Sequence, residues 1–341
     1  MLLQRTSAHV AARQTFSECL TLGCQQFHCL FSGTPQPIRS FRGDMSPLSE
    51  LGIIEMASGE ACALTPVIAF DGLFLKCDSP SLKLWDRVFP IHDDESLLLA
   101  RWATAQPGER VLEIGAGAGV AALRLASQGA SKVIATDINT RVSDYFAFNA
   151  ALNGLTDRVE YVHADIFAGL NGEKFNVIVS NPPFVPVPNG SHYFLHSDGG
   201  PFGTAILERV AAEWRKHMLP AGRLYTLALS LGNAQSWRIS SLFPDAYFSA
   251  IYGEPHLDLA EFVRQFGWAD GVDEWHGNLR DAGYDRIGYF GLAASTNEAR
   301  FDWREPRSAV QEISNGATPW SYCSWSMAAR LRRYVPPPPQ T

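Results

Sequence analysis

From residue 66 onward, the apolar positions of this chain fall into short runs separated by polar breaks. Val67-Ile-Ala-Phe70 and Leu73-Phe-Leu-Lys76 flank Asp71-Gly72, a dipeptide that reaches positive φ readily and so favours a two-residue β-hairpin turn. A helix is expected from Asp93 to Trp102, with acids in its first turn complementing the helix dipole. Beyond it the runs settle into alternation. The pattern predicts strands near 110–114, 131–136, 158–163, 174–180, 222–229 and 287–293, and helices near 118–128, 140–152, 203–218 and 234–242. Such alternation means an α/β fold built on a parallel sheet covered on both faces.

The flanks read differently. Residues 1–44 carry four arginines against two acids and half of the six cysteines, with no sustained period. The expectation there is a disordered or dispensable extension, ahead of a true start at Met45; acid-poor Arg/Ser composition also fits a targeting peptide weakly. Residues 45–65 are Ser/Gly-broken and read as a helix or two capping the fold, so that 45–100 form an N-terminal cap with the hairpin. A catalytic unit is expected over 101–295, with an insertion at about 254–285 that holds two helix-like pieces, and a C-terminal extension over 296–341 ending in a disordered Pro-rich tail.

Chemistry concentrates in residues 110–184. The strand containing Val111, Leu112 and Ile114 runs into Gly115-Ala-Gly117-Ala-Gly119, and glycines suit a backbone that turns sharply and lies close to a ligand. About twenty residues later a second apolar strand ends on Asp137, where a carboxylate can accept hydrogen bonds from a ribose diol. A third apolar run, 175–180, leads into Asn181-Pro182-Pro183-Phe184. Ligand groups gather at the carboxyl ends of strands in parallel open sheets, which is where this tetrapeptide falls.

On these residues the chain resembles the class I S-adenosyl-L-methionine (SAM) dependent methyltransferases, in the branch with Asn-Pro-Pro-Phe/Tyr, and most nearly the release-factor glutamine methyltransferases. The resemblance covers roughly residues 66–232. It includes Pro90-Ile-His92-Asp-Asp94-Glu95-Ser96, where Ile91 stands at the family's arginine, and Ser197-Asp-Gly-Gly200-Pro-Phe-Gly203. It implies a Rossmann-like class I methyltransferase fold: a central, mostly parallel seven-stranded sheet with helices on both faces, here with an N-terminal β-hairpin and C-terminal lid additions. It implies SAM as cofactor, held by Glu113, Gly115, Gly117, Gly119, Asp137, Asp165 and Asn181, with Asp165 at the adenine amino group. It also implies Asn181, Pro182 and Phe184 as the catalytic set.

In that set the Asn181 side-chain oxygen accepts one N–H of the substrate and the Pro182 carbonyl another, aiming the nitrogen lone pair at an already activated methyl. Proline stiffens the loop. Phe184 can stack on a planar substrate or offer its π face to a cation, but has no hydroxyl. His192, Tyr193 and His196 follow closely and are further candidates to take a proton, or plain loop structure.

Composition narrows the partners. A net charge of −7 argues against a phosphate backbone as main partner. No apolar stretch reaches the ~18 residues that span a bilayer. The cysteines at 19, 24, 29, 62, 77 and 323 show no CxxC spacing, so neither a metal site nor a disulfide framework is indicated and a cytoplasmic setting is expected. Five of nine tryptophans (268, 275, 303, 320 and 325) lie near the C-terminus and are read as a lid over the pocket.

With no room for an N-terminal bundle that grips a protein, the expected reaction is N-methylation of an amine or amide on a small molecule of secondary metabolism. One alternative is a SAM cyclase, with SAM as sole substrate, giving azetidine-2-carboxylate and methylthioadenosine. Others are protein glutamine N5-methylation, a non-catalytic SAM-binding protein, and a nicotinamide oxidoreductase, which leaves the Asn-Pro-Pro-Phe unexplained.

Overall fold

A computed structural model describes residues 6–21, 35–41, 43–79, 82–89, 94–250 and 256–297. The expected helix start at 90–93, three of the five lid tryptophans and the Pro-rich tail lie outside these residues.

The N-terminal layer comprises α1 (Ser7–Thr21), β1 (Gln36–Pro37), α2 (Ser46–Glu50), and the hairpins β2 (Ile54–Ala57)/β3 (Glu60–Ala63) and β4 (Val67–Phe70)/β5 (Leu73–Lys76). After α3 (Asp94–Trp102) come β6 (Arg110–Ile114), α4 (Val120–Ser127), β7 (Lys132–Asp137), α5 (Val142–Asn153), β8 (Val159–His163) and β9 (Phe175–Ser180). The chain continues through α6 (Ala205–Glu213), β10 (Met218–Gly232), α7 (Arg238–Leu242), β11 (Tyr247–Ala250), β12 (Leu257–Asp258), α8 (Leu259–Val263), α9 (Val272–Asp281) and β13 (Arg286–Ser295). The main sheet runs β11-β13-β10-β9-β6-β7-β8, with β12 added to β13. Its pairs from β10 through β8 are parallel, while β13 is antiparallel to β10 and β11.

Alternation along the central strands sorts their side chains onto two faces. Val111, Val133 and Val177 pack with α3, α4 and α5, whereas Leu112, Ile134 and Ile178 pack with α6 and α7. The expected α/β sheet with helices on both faces is thus the observed one. The longest departure within it is β10, which begins four residues before the expected 222. Pro220-Ala-Gly222 is absorbed as an irregularity between Met218 and Arg223, with Ala221 at φ +58°.

The N-terminal region departs further from expectation. Residues 7–21 are a helix rather than an extension without period. Ala8, Ala12 and Phe16 form its buried stripe, and Phe16 stacks on Phe74 with ring centroids 4.9 Å apart. The stripe is one large ring and two alanines, too little contrast to stand out. The segment 54–63 is a second hairpin, turned by Ser58 and Gly59 at φ +54° and +83°. The first hairpin turns at Asp71 and Gly72 as expected, both at positive φ.

Two side chains of α5 fasten the β4/β5 hairpin to the body. Asn153 accepts from Phe74 N–H at 3.0 Å and donates to its carbonyl at 2.8 Å, and Asn149 does the same at Lys76 (2.7 and 2.9 Å) while also donating to Ala118. Four residues apart on one helix face, the two amides stand in for the missing neighbouring strand. A second latch joins β6 to α4. Gly119, at the helix start, has no side chain to cap the exposed N–H groups, and Glu113 reaches over to accept from Ala122 at 2.9 Å.

Asn149→Ala removes the side-chain partner of three backbone groups, one buried at Ala118 and two half-buried at Lys76, and is predicted to lower unfolding stability by about 2–3 kcal/mol in urea titrations; a change under about 1 kcal/mol contradicts the strand-surrogate role. Burial pushes the Glu113 carboxyl up to about 8, against the downward pull of the Ala122 and Ala121 N–H groups. The folded chain therefore keeps a proton that the unfolded chain releases near 4.5. Stability from this group is full below that value and falls as pH rises toward about 8. Glu113→Gln is predicted to flatten the decline of the urea midpoint across that window, and an unchanged slope contradicts it.

Candidate functional site

The register of three parallel strands assembles the site. Ile114 pairs with Thr136 on one side and Ser180 on the other. Gly115, Asp137 and Asn181, each the next residue, therefore emerge side by side at the carboxyl edge. Ser180 Oγ donates to the Ile114 carbonyl at 3.1 Å and Thr136 Oγ1 to Ile166 at 3.0 Å, tying those strand ends together. A cavity of ≈ 450 Å³ opens there, lined among others by Glu113, Gly115, Gly117, Asp137, Asp165 and Asn181. That volume suits one small ligand with room for a substrate group.

At one end the glycine turn forms a cradle. Gly115 and Gly117 hold φ +72° and +52°; an added Cβ meets no atom within 4 Å at Gly117 and only the Asn181 carbonyl, at 3.8 Å, at Gly115. Side chains there would fill the cavity. Gly119 differs: it does not line the cavity, and a Cβ would sit 2.7 Å from the Phe146 ring. Its part is to let α4 pack on α5, a correction to its expected place beside the cofactor.

Asp137 is fixed by backbone donors, one oxygen accepting from Gly117 N–H at 2.9 Å and the other from Asn139 at 2.8 Å. Burial raises its pKa while these bonds lower it. A carboxylate has about four acceptor sites, so capacity remains for a diol. Ile138 beside it lines the cavity and is 54% exposed, a large aliphatic in water that the strand pattern hid. Asp165 lies on the same rim, but both its oxygens accept from Arg209 (3.0 and 2.7 Å). It stands in an ion pair with Arg209 at the edge of the cavity.

At the other end Asn181 Nδ2 donates to Ser96 Oγ at 3.3 Å, which orients the amide, and Oδ1 is buried with no hydrogen-bond partner among the described residues. Pro182 and Phe184 line the cavity too, and the Phe184 ring is buried 5.6 Å from that of Tyr289. The chain after the motif is held by its own return. Val185 N–H donates to the Ser197 carbonyl, Gly199 to Val185 and Val187 to Gly200. Gly203 approaches so closely that a Cβ would lie 2.6 Å from the Phe184 carbonyl. This folds residues 188–196 back toward the cavity.

His192, Tyr193 and His196 all line it. His196 is ill suited to take a proton. Burial, then Arg87, pushes its pKa down to about 3. Arg87 Nε donates to Nε2 at 3.1 Å, so the ring hydrogen is on Nδ1, 2.6 Å from Ser197 Oγ. The loop over 82–89, carrying Trp85 and Arg87 into the wall, is anchored by Asp78, which accepts from Val88 at 2.7 Å, and by Asn139, which donates to Asp86 at 2.6 Å. No motif marked that loop.

The described lid tryptophans do not face the cavity. Trp275 Nε1 donates to the Pro201 carbonyl at 2.9 Å, and Trp268 stacks on Tyr193 with centroids 6.4 Å apart. They back the loop instead of covering the mouth, where Trp85 stands 55% exposed. No helix among the described residues is long and apolar enough to cross a membrane.

Comparison with known proteins agrees with this geometry. Residues 90–230 match the model of the methyltransferase small domain. A candidate protein N5-glutamine methyltransferase of Methanocaldococcus jannaschii is 31% identical over 163 residues, 47% of this chain and 81% of that one. A release factor glutamine methyltransferase of Cereibacter sphaeroides is 31% identical, covering 51% of this chain and 64% of its own. A tRNA1(Val) (adenine(37)-N6)-methyltransferase of Bacteroides thetaiotaomicron is 36% identical over 92 residues, 26% of this chain and 39% of its own. The chain belongs to the class I SAM-dependent methyltransferases and, within them, resembles the glutamine methyltransferases.

Proposed function

We propose that this chain transfers the methyl of SAM to the side-chain amide nitrogen of a glutamine in a protein substrate. The observation that carries the reading is that Asn181, which lines one cavity with Gly115 and Asp137, holds a buried Oδ1 with no partner among the described residues. A buried acceptor left unmet costs about 1–3 kcal/mol, and an N–H of the acceptor nitrogen removes that cost. The names of the relatives from M. jannaschii and C. sphaeroides support glutamine. They displace the small-molecule acceptor expected from the sequence, and support for nucleic acid is weaker because the tRNA relative matches over only 26% of this chain.

In this reading Gly115, Gly117 and Asp137 hold the nucleoside and amino-acid portions of SAM, with Ile138 against the base and the Asp165–Arg209 pair at the rim. SAM supplies a methyl already activated by its sulfonium. Asn181 Oδ1 and the Pro182 carbonyl each accept one N–H of the substrate amide, which fixes its nitrogen before the methyl and increases electron density on it. The methyl's bond to sulfur breaks as its bond to nitrogen forms, leaving S-adenosylhomocysteine, and the nitrogen releases one proton to solvent. Phe184 walls off water.

The roles separate experimentally. With a glutamine-containing protein acceptor and labelled SAM, Asn181→Ala is predicted to lower kcat at least ~100-fold while SAM affinity stays within a few-fold. Asp137→Ala is predicted to weaken SAM binding on the order of tenfold or more. Loss of SAM affinity alone in both variants contradicts the division. Methylthioadenosine released from SAM without any acceptor replaces the transferase reading with cyclisation.

A further inference from the structure

Two residues that line the cavity each hold a buried side-chain polar atom without a partner among the described residues, and the two atoms are complementary. One is Asn181 Oδ1, an acceptor only; the other is the Tyr193 hydroxyl, which can donate. The proposed grip on the substrate through Asn181 and the Pro182 carbonyl consists entirely of acceptors. It meets the two N–H bonds of a primary amide and leaves the amide's carbonyl oxygen with nothing. Phe184 has no hydroxyl to give.

We propose that Tyr193 is the specificity contact that completes this recognition, its hydroxyl donating to the carbonyl oxygen of the substrate carboxamide. The inference rests on the glutamine reading and extends it to a second half of the acceptor site. An acceptor pair for NH2 and a donor for C=O select a carboxamide over an amine, because a carbonyl-lacking group leaves the buried phenol unmet.

The tyrosine is built to stay in place. Its ring contacts Phe194 edge-on at 5.7 Å, Phe266 at 6.3 Å and Trp268 in a stack at 6.4 Å. Phe266 and Trp268 belong to the inserted segment, outside the matched residues 90–230. Trp275 of the same segment holds the loop further on, through Pro201. The insertion thus acquires a purpose: it sets the position of the loop that carries Tyr193 into the cavity wall. Burial raises the Tyr193 pKa, so the phenol keeps its proton for donation.

The test uses the full chain saturated with S-adenosylhomocysteine and two titrated probes, N-acetylglutamine methylamide and N-acetylornithine methylamide, which lacks the side-chain carbonyl. Tyr193→Phe keeps the ring and its packing, and S-adenosylhomocysteine affinity serves as the control for folding. The variant is expected to bind the glutamine probe about tenfold more weakly than wild type and the ornithine probe within about twofold. Equal weakening for both probes, or none for the glutamine probe, overturns the role of Tyr193 while leaving the glutamine reading intact. Failure of the wild type to bind the glutamine probe overturns both.

Discussion

Everything at this site depends on one alignment, the level pairing of Ile114 with both Thr136 and Ser180. Parallel strands in register finish together, so the residue after each finish arrives at the same edge. Here those residues are a glycine with positive φ, a carboxylate and an amide. A one-residue slip of β9 against β6 would turn Asn181 to the opposite face and exchange the amide for Ser180 or Pro182. Register is protected by burial on both faces, since every side chain from Val177 to Ser180 is inaccessible. Such a strand has no solvent face to slip toward.

A second requirement is that the chain beyond the sheet be stiff. The return of Ser197–Gly203 along Val185 and Val187 does this from one side, and Phe266, Trp268 and Trp275 do it from the other. The front wall is the 82–89 loop, held through Asp78 and Asn139. Polar groups placed by three independent anchors can be left without partners at acceptable cost in stability, and a cavity that lowers its energy only when filled is a binding site.

The sequence makes this architecture readable in proportion to contrast. Largely apolar central strands stand out by their contrast with the polar breaks around them, and turns such as Asp71-Gly72 because alternatives to them are sterically poor. The helix over 7–21 hides because its stripe is mostly alanine, and the 54–63 hairpin because its strands are short and mixed. The helix expected from 234 starts at 238 because Asn233 accepts from Gln235 and Ser236 N–H groups and holds a turn there. At the site, Gly115 and Asp137 are legible through their spacing, and Asn181 through the motif that carries the resemblance. Trp85, Arg87 and Ile138 are not, since they reach the cavity by loop paths that no period encodes, and Tyr193 is legible only as a neighbour of the motif, a candidate to take a proton or plain loop structure. Gly119 matches its motif by letter yet packs a helix, a distinction that only neighbours in space decide. The tryptophans mislead by composition: two of them stand behind a wall rather than over an opening.

The central claim is that Asn181 grasps the nitrogen that is methylated. A crystal structure with S-adenosylhomocysteine and a glutamine-bearing ligand measures this directly, through the distance from Asn181 Oδ1 to the ligand amide nitrogen. The account predicts about 2.7–3.2 Å, with that nitrogen facing the sulfur. An amide bound elsewhere, with Asn181 Oδ1 still unpartnered, contradicts it.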